Sequence, residues 1–209
     1  MLRTTPSPVI ATPEMDTIQD PKSKTKNRLL TVWQWRLWIM GLFGARYDGL
    51  RHFSVVEPGV LLRCGQPRVR DLEWIQREYG IRTLVVARGG TRHPLRGRWF
   101  RREREFCATA GIRLEHMPMS DRAPPPADLF EHFLNVVADP AKRPVLVHCE
   151  QGFHRTGVLC AAYRMRLGGW TLEAALDEMR RGGFDRTDFK RRKLYGAFLA
   201  WACPQGADA

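Results

Sequence analysis

Apolar residues follow two alternating patterns along the chain from Phe53 onward. Two short apolar runs flank a turn at Pro58 and Gly59 and predict a hairpin. Further short runs, bounded by polar residues, predict buried strands at 81–87, 112–117 and 145–148. Helical spacing of apolar residues predicts helices over 69–79, 99–110, 129–137, 158–165, 172–179 and 189–202. The alternation predicts an α/β fold with a central, mostly parallel sheet covered by helices.

The N-terminal quarter has a different pattern. Residues 1–28 carry four prolines among Ser, Thr and Lys without apolar periodicity, which predicts disorder. Residues 29–43 are apolar, contain three tryptophans and follow a basic flank, but fifteen residues with Arg36 near the middle are short of the roughly 20 that a membrane span needs. Two interpretations stay open for 29–52: a helix at a membrane surface, or one docked on the main domain. We assign 53–203 to that domain and 204–209 to a flexible tail.

The stretch 145–157 is predicted to be a strand, a tight loop and a helix. Loop amides at a helix N-terminus point at one spot, and the helix dipole adds positive charge there, so the loop can cradle a phosphate. The same field is expected to lower the pKa of Cys149 below its usual ~8.5 and make it a nucleophile. Arg155 offers a planar fork to two phosphate oxygens. Gly152 permits positive φ, and the Thr156 hydroxyl can reach the sulfur or cap the helix.

His-Cys, five residues and Arg-Thr-Gly after an apolar strand resembles the signature of the cysteine-dependent tyrosine and dual-specificity phosphatases. The Arg-x-Gly-Gln-Pro segment at 63–67 resembles the opening of bacterial dual-specificity-like phosphatases. The resemblance covers residues 53 to about 200, and it marks 53–203 as a catalytic domain. It implies a phosphatase-like strand-loop-helix active site that works through a cysteinyl-phosphate and requires no metal or cofactor.

Further roles follow from the resemblance. Asp121 lies in a loop between a strand and an amphipathic helix, which resembles the placement of the mobile acid loop in dual-specificity phosphatases, although the Trp-Pro-Asp triplet is absent. Asp128 falls at the predicted N-cap of the next helix, so Asp121 is our candidate for the general acid. His148 is expected to bond the surrounding backbone and help set the acidity of the thiol. The expected substrate-binding residues are those of the loop: Glu150, Gln151, Gly152, Phe153 and His154.

The substrate class stays open. Phosphotyrosine or dual-specificity phosphoprotein substrates are the leading expectation. Gly-x-His-Arg-Thr-Gly, with His154, resembles plant and fungal enzymes whose substrates include inositol pyrophosphates, and Gly-Phe-x-Arg-Thr-Gly is similar to metal-independent RNA 5′-triphosphatases. The Glu150 carboxylate argues against both, because it repels crowded anions. A non-catalytic phosphate-binding module is a further alternative.

Composition narrows the partners and the compartment. A net charge of +12 favours anionic partners, here a phosphorylated protein or a small phosphorylated molecule. Arginines at 88–104 form a solvated face or a docking patch, and no nucleic-acid-reading motif accompanies them. Five widely spaced cysteines without a Cys-x-x-Cys pair argue against a disulfide framework or a zinc site. A free, reactive thiol favours the cytoplasm, and bacterial relatives with N-terminal membrane segments keep membrane association through 29–43 open.

Overall fold

The computed structural model describes residues 50–90, 97–120, 122–185 and 191–203, which hold five strands and six α-helices. The strands are β1 (Ser54–Glu57), β2 (Leu61–Cys64), β3 (Thr83–Arg88), β4 (Arg113–Met119) and β5 (Val145–His148). The helices are α1 (Val69–Tyr79), α2 (Arg98–Ala110), α3 (Leu129–Ala138), α4 (Arg155–Arg166), α5 (Leu172–Arg181) and α6 (Arg192–Ala202).

The strands form one sheet in the order β1-β2-β5-β3-β4. The β1–β2 pair is antiparallel, and the other three pairings are parallel. The central strand is β5, where Leu146 pairs with Leu62 of β2 on one side and Leu84 of β3 on the other. Ligands bind outside the carboxyl ends of the strands in open parallel sheets, and the Cys149 loop leaves the sheet at that end of β5.

Helices cover both faces of the sheet. On one face Val145 and Val147 pack into a core built with α3, α4, α5 and α6, including Phe133 and Phe198. On the other face Leu146 packs into a core built with α1 and α2. Each apolar run therefore supplies both cores, because successive side chains of a strand point to opposite faces. The predicted α/β architecture is confirmed.

Most element boundaries lie within two residues of the predicted ones, but α4 begins at Arg155, three residues before its predicted start. The hairpin is confirmed, but β3 begins two residues later than predicted, because Ile81 is buried before the strand pairing starts. The predicted helix ends at Gly80 and Gly111 are confirmed, since both glycines adopt the left-handed conformation. Burial sets an apolar pattern, whereas pairing sets a strand boundary, so the two need not coincide.

Several predictions concern residues outside the described ranges. The disordered segment 1–28, the apolar segment 29–43 and the tail 204–209 are among them, and so is Phe189, where the last helix was predicted to begin. Among the helices that the structure describes, none combines the length and the apolar character needed to cross a bilayer.

Candidate active site

A six-residue loop, 149–154, connects the central strand to α4. Cys149 follows β5 directly and is completely buried, and Arg155 is the first residue of α4. The backbone N–H of Gly152 donates a hydrogen bond to Cys149 Sγ over 3.2 Å. The amide donor therefore points at the sulfur from the loop that leads into the N-terminus of the twelve-residue helix α4.

Gly152 is required by conformation and by space. Its φ is +85°, so the predicted positive φ is confirmed. A Cβ placed on it would lie 2.5 Å from the backbone N of Gly65 and 2.7 Å from the carbonyl carbon of Cys64. The loop is therefore pressed against the carboxyl end of β2, a contact that sequence spacing did not indicate.

Three donors outside the loop bind its successive carbonyls. The backbone N–H of Gln66 donates to the Glu150 carbonyl over 3.1 Å, and His52 Nδ1 donates to the Gln151 carbonyl over 2.8 Å. Buried Arg63 donates from Nη2 to the carbonyl of Gly152 over 2.7 Å. In a trans peptide the N–H points opposite to the carbonyl of the same unit. These contacts consequently turn the amides of 151–153 toward the interior of the loop, where an anion would sit.

The Arg155 guanidinium lies between the loop and the end of β4. Its Nη1 donates to the Met119 carbonyl over 3.5 Å, and its Nη2 lies 3.8 Å from Glu150 Oε2. Asp121, the predicted acid, follows Met119 by two residues, but it lies outside the described residues. Asp128 does occupy the N-cap position of α3, although its side chain makes no capping hydrogen bond.

A buried chain of polar side chains runs behind the loop from His148. His148 Nδ1 donates to the Cys149 carbonyl over 3.1 Å, and its Nε2 lies 3.4 Å from Glu103 Oε1. The same carboxylate oxygen accepts a hydrogen bond from Gln66 Nε2. Gln66 Oε1 accepts from Arg88 Nη1 over 2.8 Å. This chain links the residue before Cys149 to the rim of the loop.

The series of hydrogen-bonded side chains that starts at His148 ends at Glu150. Arg88 Nη2 donates to Glu150 Oε1 over 3.2 Å, and the other carboxylate oxygen faces Arg155. The Arg88 guanidinium also lies 4.5 Å from the ring centroid of Trp99. Sequence analysis grouped Arg88 with the arginines at 88–104 and assigned Gln66 and Glu103 no role in the site. The sequence did carry one signal, because Glu103 lies on the otherwise apolar and aromatic face of the helix predicted over 99–110. A carboxylate on a buried face needs a buried partner.

The predicted contacts of Thr156 are wrong for this structure. Its hydroxyl is buried and, among the described residues, has no hydrogen-bond partner, so it neither donates to Cys149 nor caps α4.

The loop residue Phe153 packs between the rings of His52 and His154, with centroids 4.8 Å and 4.1 Å away. The rings of the loop residues Phe153 and His154 therefore contact each other, and Phe153 also contacts His52.

His154 is a neutral part of the loop. Burial lowers its pKa from 6.5 to about 3, and the nearby positive charges of Arg191 and Arg155 act in the same direction. The ring therefore carries no charge near neutral pH and adds nothing to the positive potential of the loop. Its effect on a bound anion is limited to shape and hydrogen bonding.

Because His154 is neutral in the folded protein, we expect the protein to lose stability in acid. Unfolding lets the ring take up a proton below pH 6.5, so stability should fall as the pH drops from 6.5 toward 3, by up to about 1.4 kcal/mol per pH unit. Denaturant unfolding of wild type and of His154→Gln between pH 4 and 6 should show the variant slope lower by about 1 kcal/mol per pH unit. The matched change His132→Gln, at an exposed site on α3, should keep the wild-type slope. Equal slopes for wild type and His154→Gln would contradict the assignment.

Metal ligands do not cluster in the described ranges, where no group of three or more His, Cys, Asp or Glu side chains could hold an ion. All five cysteines are free, and Cys203 is the exposed one among them. The groups that the structure places at the loop are the Cys149 thiol, the backbone amides and the guanidinium groups of Arg88 and Arg155.

Two curated relatives and their solved structures resemble this chain. TpbA of Pseudomonas aeruginosa, a dual specificity protein phosphatase, is 34% identical over 94 residues, which are 44% of this chain and 43% of the relative. SIW14 of Saccharomyces cerevisiae, an inositol diphosphatase, is 28% identical over 132 residues, 61% of this chain and 44% of the relative. The chain therefore spans less than half the length of these two relatives.

The structural matches cover more of each chain. The catalytic core of SIW14 in complex with citrate aligns with a TM-score of 0.57 and 28% identity, over 69% of this chain and 83% of that one. A cysteine-to-serine variant of TpbA in complex with phosphotyrosine aligns with a TM-score of 0.54 and 25% identity, over 75% of this chain and 85% of that one.

The family described as "DSP-PTPase phosphatase fused to NAD+ Kinase" matches residues 53–195. That range is more than half of the chain, and it contains the whole loop together with β1 to β5 and α1 to α5. The chain belongs to this family, within the cysteine-dependent dual-specificity phosphatase superfamily.

Proposed function

We propose that this protein is a phosphatase that hydrolyses phosphate monoesters through a cysteinyl-phosphate intermediate. One observation carries the proposal: Cys149 Sγ accepts a hydrogen bond from the Gly152 amide, in a loop whose carbonyls are bound from outside and which ends at Arg155, the first residue of α4. A tetrahedral dianion needs donors on its non-reacting oxygens and a nucleophile in line with the leaving oxygen. The loop offers both.

In the first step, the Cys149 thiolate attacks phosphorus, the S–P bond forms and the bond from phosphorus to the leaving oxygen breaks. The loop amides and the Arg155 guanidinium bind the three equatorial oxygens, on which charge concentrates in the transition state. Asp121 is the proposed acid that gives the leaving oxygen its proton. The loop that contains it follows Met119, the last residue of β4, whose carbonyl accepts from Arg155, so this end of β4 lies beside the proposed phosphate site.

In the second step, water attacks phosphorus and the S–P bond breaks, which releases inorganic phosphate and the thiolate. Asp121, now ionised, takes the proton from this water. His148, which holds the Cys149 carbonyl, keeps the nucleophile at the base of the ring through both steps.

The proposed substrates are phosphoproteins, with phosphotyrosine among the accepted residues. The TpbA structure with phosphotyrosine supports this class. A second candidate is a polyphosphate substrate, favoured by the similarity to the inositol diphosphatase SIW14.

A substrate panel tests the function. Phosphate release is measured at matched concentrations of phosphotyrosine peptide, phosphothreonine peptide, a diphosphoinositol and triphosphate-ended RNA, and wild-type samples quenched during turnover are digested for mass spectrometry. We expect the phosphotyrosine peptide to give the largest kcat/KM and the peptide that contains Cys149 to carry a phosphoryl group. Absence of release from all four substrates, or a label on another residue, would refute the proposal.

A further inference from the structure

Glu150 occupies an unusual position for an acidic residue, at the mouth of a site built for an anion. Its two carboxylate oxygens face different arginines, with Oε1 3.2 Å from Arg88 Nη2 and Oε2 3.8 Å from Arg155 Nη2. The side chain is about one-third exposed, at 36%, whereas that of Arg155 is 9% exposed. Glu150 thus lies at the solvent side of the guanidinium that is proposed to bind the phosphate.

Arg88 is held in place on several sides. One guanidinium nitrogen donates to Gln66 Oε1 over 2.8 Å, the other donates to Glu150, and one face lies over Trp99. Gln66 is itself bonded to buried Glu103. The arginine is therefore a fixed partner for the Glu150 carboxylate, and both of its terminal nitrogens already donate to side-chain oxygens of the protein.

We propose that the Arg88–Glu150 pair is the specificity-determining element of this site, which restricts it to single phosphate groups and rejects substrates that carry a second phosphate adjacent to the reacting one. The inference rests on the proposed phosphatase function and deepens it by choosing between its two substrate classes. The geometry points to Glu150 as the repelling charge and to Arg88 as the cation that holds it there.

The physical reason is local charge. A lone phosphate deep in the loop meets Arg155 and the amides, and Glu150 can keep its contact with Arg88 at the rim. A neighbouring phosphate has to occupy that rim, where it meets a carboxylate of like charge and a guanidinium whose charge is already neutralised. Like charges a few ångströms apart at a partly solvated surface cost free energy worth about tenfold in binding or more.

The test replaces the charge and keeps the shape. Glu150→Gln should raise kcat/KM for a diphosphoinositol about tenfold and change kcat/KM for a phosphotyrosine peptide much less, because the freed Arg88 can then bind the second phosphate. Glu173→Gln, an equal change of net charge at an exposed position of α5, should leave both values as in wild type. Adding Arg88→Gln to the Glu150→Gln variant should remove the gain, and thermal unfolding of every variant verifies that it is folded.

The outcomes separate the two proposals. An unchanged ratio of the two kcat/KM values in folded Glu150→Gln, or a wild type that already prefers the diphosphoinositol, overturns the inference and leaves the phosphatase function standing. A wild type that hydrolyses no phosphorylated substrate overturns the function itself, and the inference with it. A gain in Glu150→Gln that persists after Arg88 is removed overturns the role of Arg88.

Discussion

Replacement of Cys149 by serine is expected to abolish turnover while phosphate binding persists. The hydroxyl of serine fits the volume of the thiol but is not ionised near neutral pH, and the group that the structure shows bonded to Sγ is an amide donor, which cannot act as a base. The loss of kcat on an aryl phosphate should be about 10⁴-fold or more, the scale seen when a covalent nucleophile is removed. The inward-turned amides and Arg155 remain, so calorimetric titration with phosphate or vanadate should still show binding.

Cys160 provides the matched control. It lies on α4, is buried, and burial raises the pKa of its thiol to about 11, so it is an inert thiol in the same region of the protein. Cys160→Ser should keep kcat near wild type and cost stability only, by about 1–3 kcal/mol for a buried hydroxyl. Near-wild-type kcat in Cys149→Ser, or loss of phosphate binding in a folded sample, would remove the nucleophile assignment.

The chemistry of the loop was predictable because it is local. Thirteen consecutive residues, 145–157, contain the strand, the cysteine, the positive-φ glycine and the arginine, and each follows from backbone geometry within the segment. The same holds for the helix ends at Gly80 and Gly111, where a left-handed residue stops the helix. Local rules operate over a few residues, so a single sequence is sufficient to state them.

The support of the loop was not predictable, because it depends on strand order. Arg63 binds the Gly152 carbonyl only because β2 lies parallel to β5 and next to it. The hairpin was predicted, yet nothing in the sequence placed it beside the central strand. His52 likewise contacts Gln151 across 99 residues of chain, and contacts at that separation follow from topology and not from periodicity.

Sequence analysis did not predict the surroundings of charged residues that are paired in the structure. Arg88 was grouped with an arginine-rich surface, but the structure places it against Trp99 and between two side-chain acceptors. The +12 charge indicated anionic partners, but composition counts charges without showing which of them are paired. The expectation that Glu150 opposes polyphosphate stays a prediction, and sequence analysis did not indicate its arginine partner.

Replacement of Arg155 by lysine is expected to lower kcat about 10³-fold on a phosphate monoester although the positive charge is kept. The guanidinium presents two parallel N–H groups in a fixed plane, which match two equatorial phosphate oxygens, whereas an ammonium group is a single mobile donor. The Arg155 side chain is held between the Met119 carbonyl and Glu150, so its plane is set before substrate arrives. A lysine cannot make both contacts and also serve two phosphate oxygens.

The size of this effect separates a geometric role from a purely electrostatic one. Arg166→Lys is the matched control, because Arg166 is the last residue of the same helix and its guanidinium lies 5.0 Å from the ring centroid of Trp201. It should keep kcat and shift the melting temperature only slightly. Measured on an aryl phosphate and on a phosphotyrosine peptide, a loss in kcat with little change in phosphate affinity means that Arg155 acts chiefly on the transition state. A folded Arg155→Lys variant with kcat within tenfold of wild type would mean that charge alone suffices, and that the planar fork is not what the reaction requires.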